Sequence, residues 1–220
     1  MGAKMHLFRP WLAILISTLL VVFYEVRLAW AGRRHPETRA RSAHVLLRTE
    51  WVIALTALPG FEIVAVQTLR NSLMSATITG STAALALMGT VSLTASSNAS
   101  FLGIHQMSPR VVLELMLLAT LFASFVSSAT AMRYYNHAGF VMSLPAKSEQ
   151  RERRTPMAID YVRRAGLLYS WGLRFFLFVA PVVVGLVNEL AMPFAAACLV
   201  VVLRFFDRGP GLEQAAGESA

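Results

Sequence analysis

The chain has 220 residues, 56% of them hydrophobic and 15% charged, with 20 Lys+Arg against 12 Asp+Glu and a formal net charge of +8. Soluble domains carry about one quarter charged residues, so this composition excludes an ordinary soluble protein. A basic excess fits nucleic acid, anionic lipid or membrane topology; here the charges cluster in two connections between apolar runs, which favours topology and sets nucleic acid aside.

The first apolar run spans about 10–30, with Trp11 and Trp30 as interface anchors at its ends. Lys4 and Arg9 ahead of it and Ala29-Trp30-Ala31 behind it also suit a secretory signal, but Glu25 and Arg27 interrupt the part that should be neutral and Arg33-Arg34 follow at once. Gly32 to Arg41 is a polar link. Ser42 to Leu58 then reads as an amphipathic helix with Val45, Leu46, Trp51, Val52 and Leu55 on its apolar side. Such a helix lies along the cytoplasmic face of the membrane or packs on the protein's own helix ends. Pro59-Gly60 breaks it, and from Phe61 a helical pattern runs without a stop into a second span at about 72–94.

The third span, about 110–132, is expected to continue as helix to about Leu144, ahead of Pro145. Residues 146–156 (AKSEQRERRTP) read as a solvated loop. A fourth span covers about 166–187, and Asn188-Glu189 with Pro193 marks a tight turn into a fifth at about 191–206. That last run is short for a crossing, which takes roughly 20 residues, so it crosses fully or is re-entrant, leaving four spans. The tail 207–220 reads as disordered. Cys198, the single cysteine, sits inside the fifth run and reads as an inert small side chain. The expected fold is all-α: a polytopic transmembrane helix bundle with five apolar segments, a single membrane domain over 1–206, and one amphipathic helix on the cytoplasmic face.

Positive charge alternates along the connections. Segment 26–71 holds seven arginines (27, 33, 34, 39, 41, 48 and 70), segment 96–109 holds no Lys or Arg, and segment 133–165 holds Arg133, Lys147, Arg151, Arg153, Arg154, Arg163 and Arg164. The positive-inside rule then places the basic loops 33–71 and 133–165 in the cytoplasm and the N-terminus outside. Small residues at four-residue spacing let helices approach closely in lipid. Ala76, Gly80 and Ala84 in span two and Ala119, Ala123, Ser127 and Ala131 in span three suggest that these spans form an antiparallel hairpin, with an oligomer contact as the rival.

Charges inside a bilayer are costly and mark the places where helices face protein or water. At about 1.5 Å per residue, Arg174 lies roughly 12 Å into span four from the cytoplasmic surface. Glu25 lies about 9 Å from that surface, given a core about 30 Å thick. The two depths match, so Glu25 and Arg174 are expected to be partners or to share one polar pocket. Glu114 enters span three from the outside and reaches the outer interface. Gln67, Arg70 and Asn71 at the mouth of span two, with Tyr134, Asn136 and His137 where span three leaves the membrane, complete the candidate cluster. It suits an anion or lipid headgroup, or the inner vestibule of a pathway. The alternative is a structural network that locks helix ends and touches lipid phosphates.

Other chemistry finds little support. His44 and His137 lie outside the core and His105 on the other side, so no pair can grip a haem, and a metal site is equally unsupported. There is no Ser-centred elbow, phosphate loop or pair of catalytic carboxylates. The expectation is therefore no catalytic residues, no metal, no cofactor and no enzyme. Asn98-Ala99-Ser100 matches a glycosylation acceptor on an outside loop.

Val64 to Gly80 (VAVQTLRNSLMSATITG) resembles the signature of the domain of unknown function 599 family, membrane proteins of bacteria and plants. Arg133 to Pro145 (RYYNHAGFVMSLP) and Gly172 to Pro181 (GLRFFLFVAP), with Asp207 near the end, agree with it. The resemblance covers most of 10–207. It implies a multi-span protein of the bacterial inner (plasma) membrane with no activity to carry over, and its motif residues here are Gln67, Thr68, Arg70, Asn71, Tyr134, Asn136, His137 and Arg174. Asn188-Glu189 departs from the aromatic-Gly-Pro turn expected there. The leading expectation is a membrane protein that handles a small solute or ion through a cytoplasm-facing polar pocket. The alternative is an accessory or assembly subunit of a larger membrane complex. Partners are the lipid bilayer and, in the second case, other membrane subunits or a further copy of the chain.

Overall fold

The computed structural model describes residues 2–34, 40–97 and 108–207. Asn98-Ala99-Ser100, His105 and all but the first residue of the tail lie outside the described residues. The described chain is all-α: α1 (Gly2–Arg34), α2 (Ala40–Ala57), α3 (Glu62–Ser97), α4 (Pro109–Met142), α5 (Glu149–Val187) and, after a short 3-10 turn at Glu189–Ala191, α6 (Met192–Phe206). Five segments are long and apolar enough to cross a bilayer: Phe8–Ala31, Glu62–Thr94, Pro109–Met142, Glu149–Val187 and Glu189–Phe206. The last has 18 residues and a mean hydropathy of 1.9; at about 1.5 Å per residue it spans about 27 Å, just short of a typical hydrocarbon core.

The chain forms two compact units. The first takes α1, α3 from Ala86, α4 up to Leu121, α5 from Phe176, and α6. Its core is Ile14, Leu113, Leu117, Leu121, Val182 and Met192, with α1 packed on α6. Tyr24 donates a 2.7 Å hydrogen bond to the Asp207 carboxylate, tying α1 to the end of α6. The turn between α5 and α6 is tight because the Asn188 side chain accepts from the Leu190 N–H, and because Gly185 leaves room for Met192: a Cβ there would lie 2.9 Å from the Met192 sulfur. Glu114 is buried and paired with exposed Arg110 one turn away at 3.1 Å.

The second unit takes α2 from His44, α3 up to Leu85, α4 from Phe122 and α5 up to Phe175. Its core runs from Val52 and Leu55 on α2 through Ala65, Leu69 and Ala76 on α3 and Ala131, Tyr135, Ala138 and Met142 on α4 to Ala158, Val162 and Ala165 on α5. Leu46, expected on the apolar side of α2, is 60% exposed, whereas Val52 and Leu55 are buried.

The α3–α4 hairpin forms within the chain: a Cβ on Gly80 would lie 3.2 Å from the Ser128 Cβ. The α4 stripe differs from the expected one. Ala119 is exposed and Ala123 and Ser127 are half-buried, while Leu121, Ser124, Ser128, Ala131, Tyr135, Ala138 and Met142 are buried. With 3.6 residues per turn each four-residue step rotates about 40°, so the three steps from Ala119 to Ala131 wander about 120° around the helix. Alternating three- and four-residue steps stay on one side, as in other left-handed helix packings.

Candidate functional site

Residues 146–156 are not the solvated loop expected from their charge. Lys147 takes a left-handed φ of 61°, Ser148 caps the next helix by accepting from the Arg151 N–H at 3.3 Å, and α5 begins at Glu149 with Glu149 and Glu152 in its first turn. A serine cap with carboxylates beside it offsets the positive end of a helix. Arg151 is fully buried, on one stripe of α5 with Ala158, Val162 and Ala165, while Arg153 and Arg154 turn outward.

The Arg151 guanidinium donates to the Met142 and Leu144 carbonyls at 3.1 and 2.7 Å and to the Leu55 carbonyl at 3.1 Å. These are orphan carbonyls at the ends of α4 and α2, left without intrahelical donors. Beside it, the Glu62 carboxylate accepts from the Gly60 and Ala146 N–H groups at 2.9 and 2.8 Å, within electrostatic reach of Arg151. One arginine and one glutamate thus join the α2–α3 turn to the α4–α5 turn. The signal was present in the sequence as the seven-residue step from Arg151 to Ala158 to Ala165.

The expected cluster residues fall into several places. Tyr134 and His137, one turn apart on α4, both pack on Tyr161 of α5, with ring centroids 5.8 and 5.5 Å away. Arg164 donates to the Tyr134 phenol oxygen and pairs with Asp160 at 2.7 Å, and Asp160 also takes Arg163 at 3.1 Å. Tyr161 and Asp160 lie outside the expected cluster; for Asp160, the three- and four-residue spacing to Arg163 and Arg164 on one helix was the available clue. Gln67, Arg70 and Asn71 share an exposed face of α3, and Asn136 is exposed on α4, turned away from Tyr134 and His137.

Arg174 is 5% exposed, within an apolar stretch of α5 in the second unit. Glu25 is half-buried on α1, in the first unit. Two residues before Arg174, the Gly172 carbonyl accepts from the Ser124 hydroxyl at 2.8 Å, and a Cβ on Gly172 would come within 2.6 Å of the Ser128 oxygen. That Ser128 hydroxyl is buried with no hydrogen-bond partner. Two residues turn a helix by about 200°, so Gly172 and Arg174 lie on nearly opposite sides of α5, both buried. Among the described residues no group of three or more His, Cys, Asp or Glu is placed to hold a metal ion.

Long apolar helices, one of them carrying a buried arginine, define an α-helical integral membrane protein with several spans. A family model described as "Protein of unknown function, DUF599" matches residues 12–210, and the chain belongs to that family. No curated protein and no solved structure shows significant similarity to it.

Proposed function

We propose that this protein handles a small solute or ion, with Arg174 as the fixed positive charge that selects an anion. The observation that carries this reading is the near-complete burial of Arg174 within an apolar helix. Ionisable groups at such positions are expensive and are kept mainly where they meet protein, water or substrate. The loss of side-chain volume at Gly172 and the buried hydroxyls of Ser124 and Ser128 add polarity to the other side of the same helix. In this reading the Arg-rich connections face the cytoplasm, the N-terminus lies outside, and the protein is not an enzyme. The test is anion flux in proteoliposomes loaded with a chloride-sensitive dye. Wild-type protein should admit chloride faster than empty vesicles, and Arg174→Ala should abolish the difference. Equal flux from the variant excludes the role.

A second reading is an accessory subunit of a larger membrane complex. It is favoured by the exposed face of α3, where Gln67, Arg70 and Asn71 present amide and guanidinium groups outward. Purification in a mild detergent should then retain a stoichiometric partner that Arg70→Ala with Asn71→Leu releases.

A further inference from the structure

Arg48 of α2 reaches across to α5 and seats its guanidinium over Gly166. A Cβ at position 166 would overlap the Nη1 and Cζ atoms and lie 2.8 Å from Nε, so only glycine leaves this seat open. Four helices meet here. Tyr135 of α4, 5% exposed, lies within electrostatic reach of Arg48 and of the Tyr169 phenol of α5, with Ser72 of α3 beside it. The Ser72 hydroxyl in turn donates to the Thr68 carbonyl at 3.2 Å.

Several arginines of this unit have partners. Arg151 is taken up by three carbonyls, Arg163 and Arg164 by Asp160, and Arg153 by Glu149. Arg48 is half-buried, yet no carboxylate among the described residues pairs with it. A half-buried guanidinium without a carboxylate is costly unless an anion completes it. Its planar fork of donors matches the oxygens of a phosphate, and phenol O–H groups can donate to the remaining ones. Basic pockets between helices at the headgroup level are common sites for lipid phosphates. Gly166 lies where α5 passes from its charged first turns into its apolar stretch.

We propose that Arg48, seated on Gly166 beside Tyr135, binds a phosphate-type oxyanion, either a lipid headgroup or a free phosphate. This site is built from residues other than Arg174 and stands whether or not the chain moves solutes.

The experiment uses the full chain purified in a neutral detergent and titrated separately with inorganic phosphate and with a short-chain phosphatidylglycerol, reading affinity from the shift in unfolding midpoint. Saturable stabilisation by either probe is expected; phosphate alone marks a free anion and the lipid alone a headgroup. Arg48→Gln should weaken that binding about tenfold or more and Tyr135→Phe about threefold, as lost hydrogen bonds to a charged group imply. Arg154→Gln, which removes an exposed charge, should leave it unchanged. Should Arg48→Gln fail to fold, Arg48→Lys keeps the charge without the fork and should weaken binding by a similar factor. The proposal is overturned if neither probe binds the wild type, or if the folded Arg48 variant binds as the wild type does.

Discussion

In the first unit the core of Ile14, Leu113, Leu117, Leu121, Val182 and Met192 is aliphatic and thioether carbon, and the buried Ser17, Thr94 and Glu114 bond within their own helices, to the Ala13 carbonyl, the Thr90 carbonyl and Arg110. In the second, helices of similar apolarity enclose Arg151, Arg174, Ser124, Ser128 and the Tyr135 ring. Lipid tails give apolar helices little reason to prefer one another over solvent, so packing and polar contacts decide association. The first unit relies mainly on shape, with a flexible methionine filling the space that Gly185 leaves. The second relies on hydrogen bonds whose donors have no alternative partner once buried. A fault in the first should be absorbed by repacking, and a fault in the second should be felt in full.

The widest gap is expected at Arg151. Arg151→Met strips donors from the Leu55, Met142 and Leu144 carbonyls together and should cost about 3–5 kcal/mol. The exposed Arg154→Met should change stability by less than about 0.5 kcal/mol. Reversible unfolding in mixed detergent micelles measures both, and equal values would remove the clamp from the account.

A closer comparison sets one glycine against another. Gly172→Ala meets the Ser128 oxygen, with backbone atoms of α4 just behind it, and should destabilise by about 1–3 kcal/mol. Adding Ser128→Ala removes the obstructing oxygen and should restore most of that loss. Gly185→Ala instead meets the Met192 sulfur, with the Met192 Cγ and a Leu113 methyl at 3.2 and 3.3 Å, and flexible side chains that can shift limit the cost to about 1 kcal/mol. If the two glycines prove equally intolerant, the distinction between a yielding and an unyielding unit fails.

Smaller still is the effect at Tyr24, where Tyr24→Phe removes the hydrogen bond to Asp207. About 1 kcal/mol should be lost, with the α1–α6 contact becoming more accessible to proteolysis near Asp207. Least of all, Gly89→Ala in the first unit and Gly139→Ala in the second add a Cβ where nothing lies within 4 Å. Each should raise stability by about 0.5–1 kcal/mol by easing the helix's entropic cost. A loss at either position would reveal a neighbour pressed against that face.

Much of this molecule was readable from its residues, because lipid imposes rules that act on sequence directly. Backbone groups must be satisfied within their own helix, so apolar runs become spans, Pro59-Gly60 and Asn188-Glu189 become turns, and the helix from Glu62 passes through Gln67 and Arg70 without a stop. The motif stretch VAVQTLRNSLMSATITG identified the family in the same way. What charge alone could not reveal was which member of Arg151, Arg153 and Arg154 turns inward, since all three look like solvated residues until the packing stripe of α5 is known. Depth arithmetic likewise ranks polar groups by level and is silent about direction around the axis. That is why Gln67 and Asn136 point outward while Tyr134 and His137 meet on Tyr161. The sequence by itself determined the spans, their turns and the uneven distribution of positive charge, because each depends on neighbours along the chain. Only the tertiary structure decided that Arg48 sits on Gly166 and that Arg151 closes the ends of α2 and α4, because those contacts join residues from different helices and depend on each helix's rotation about its own axis.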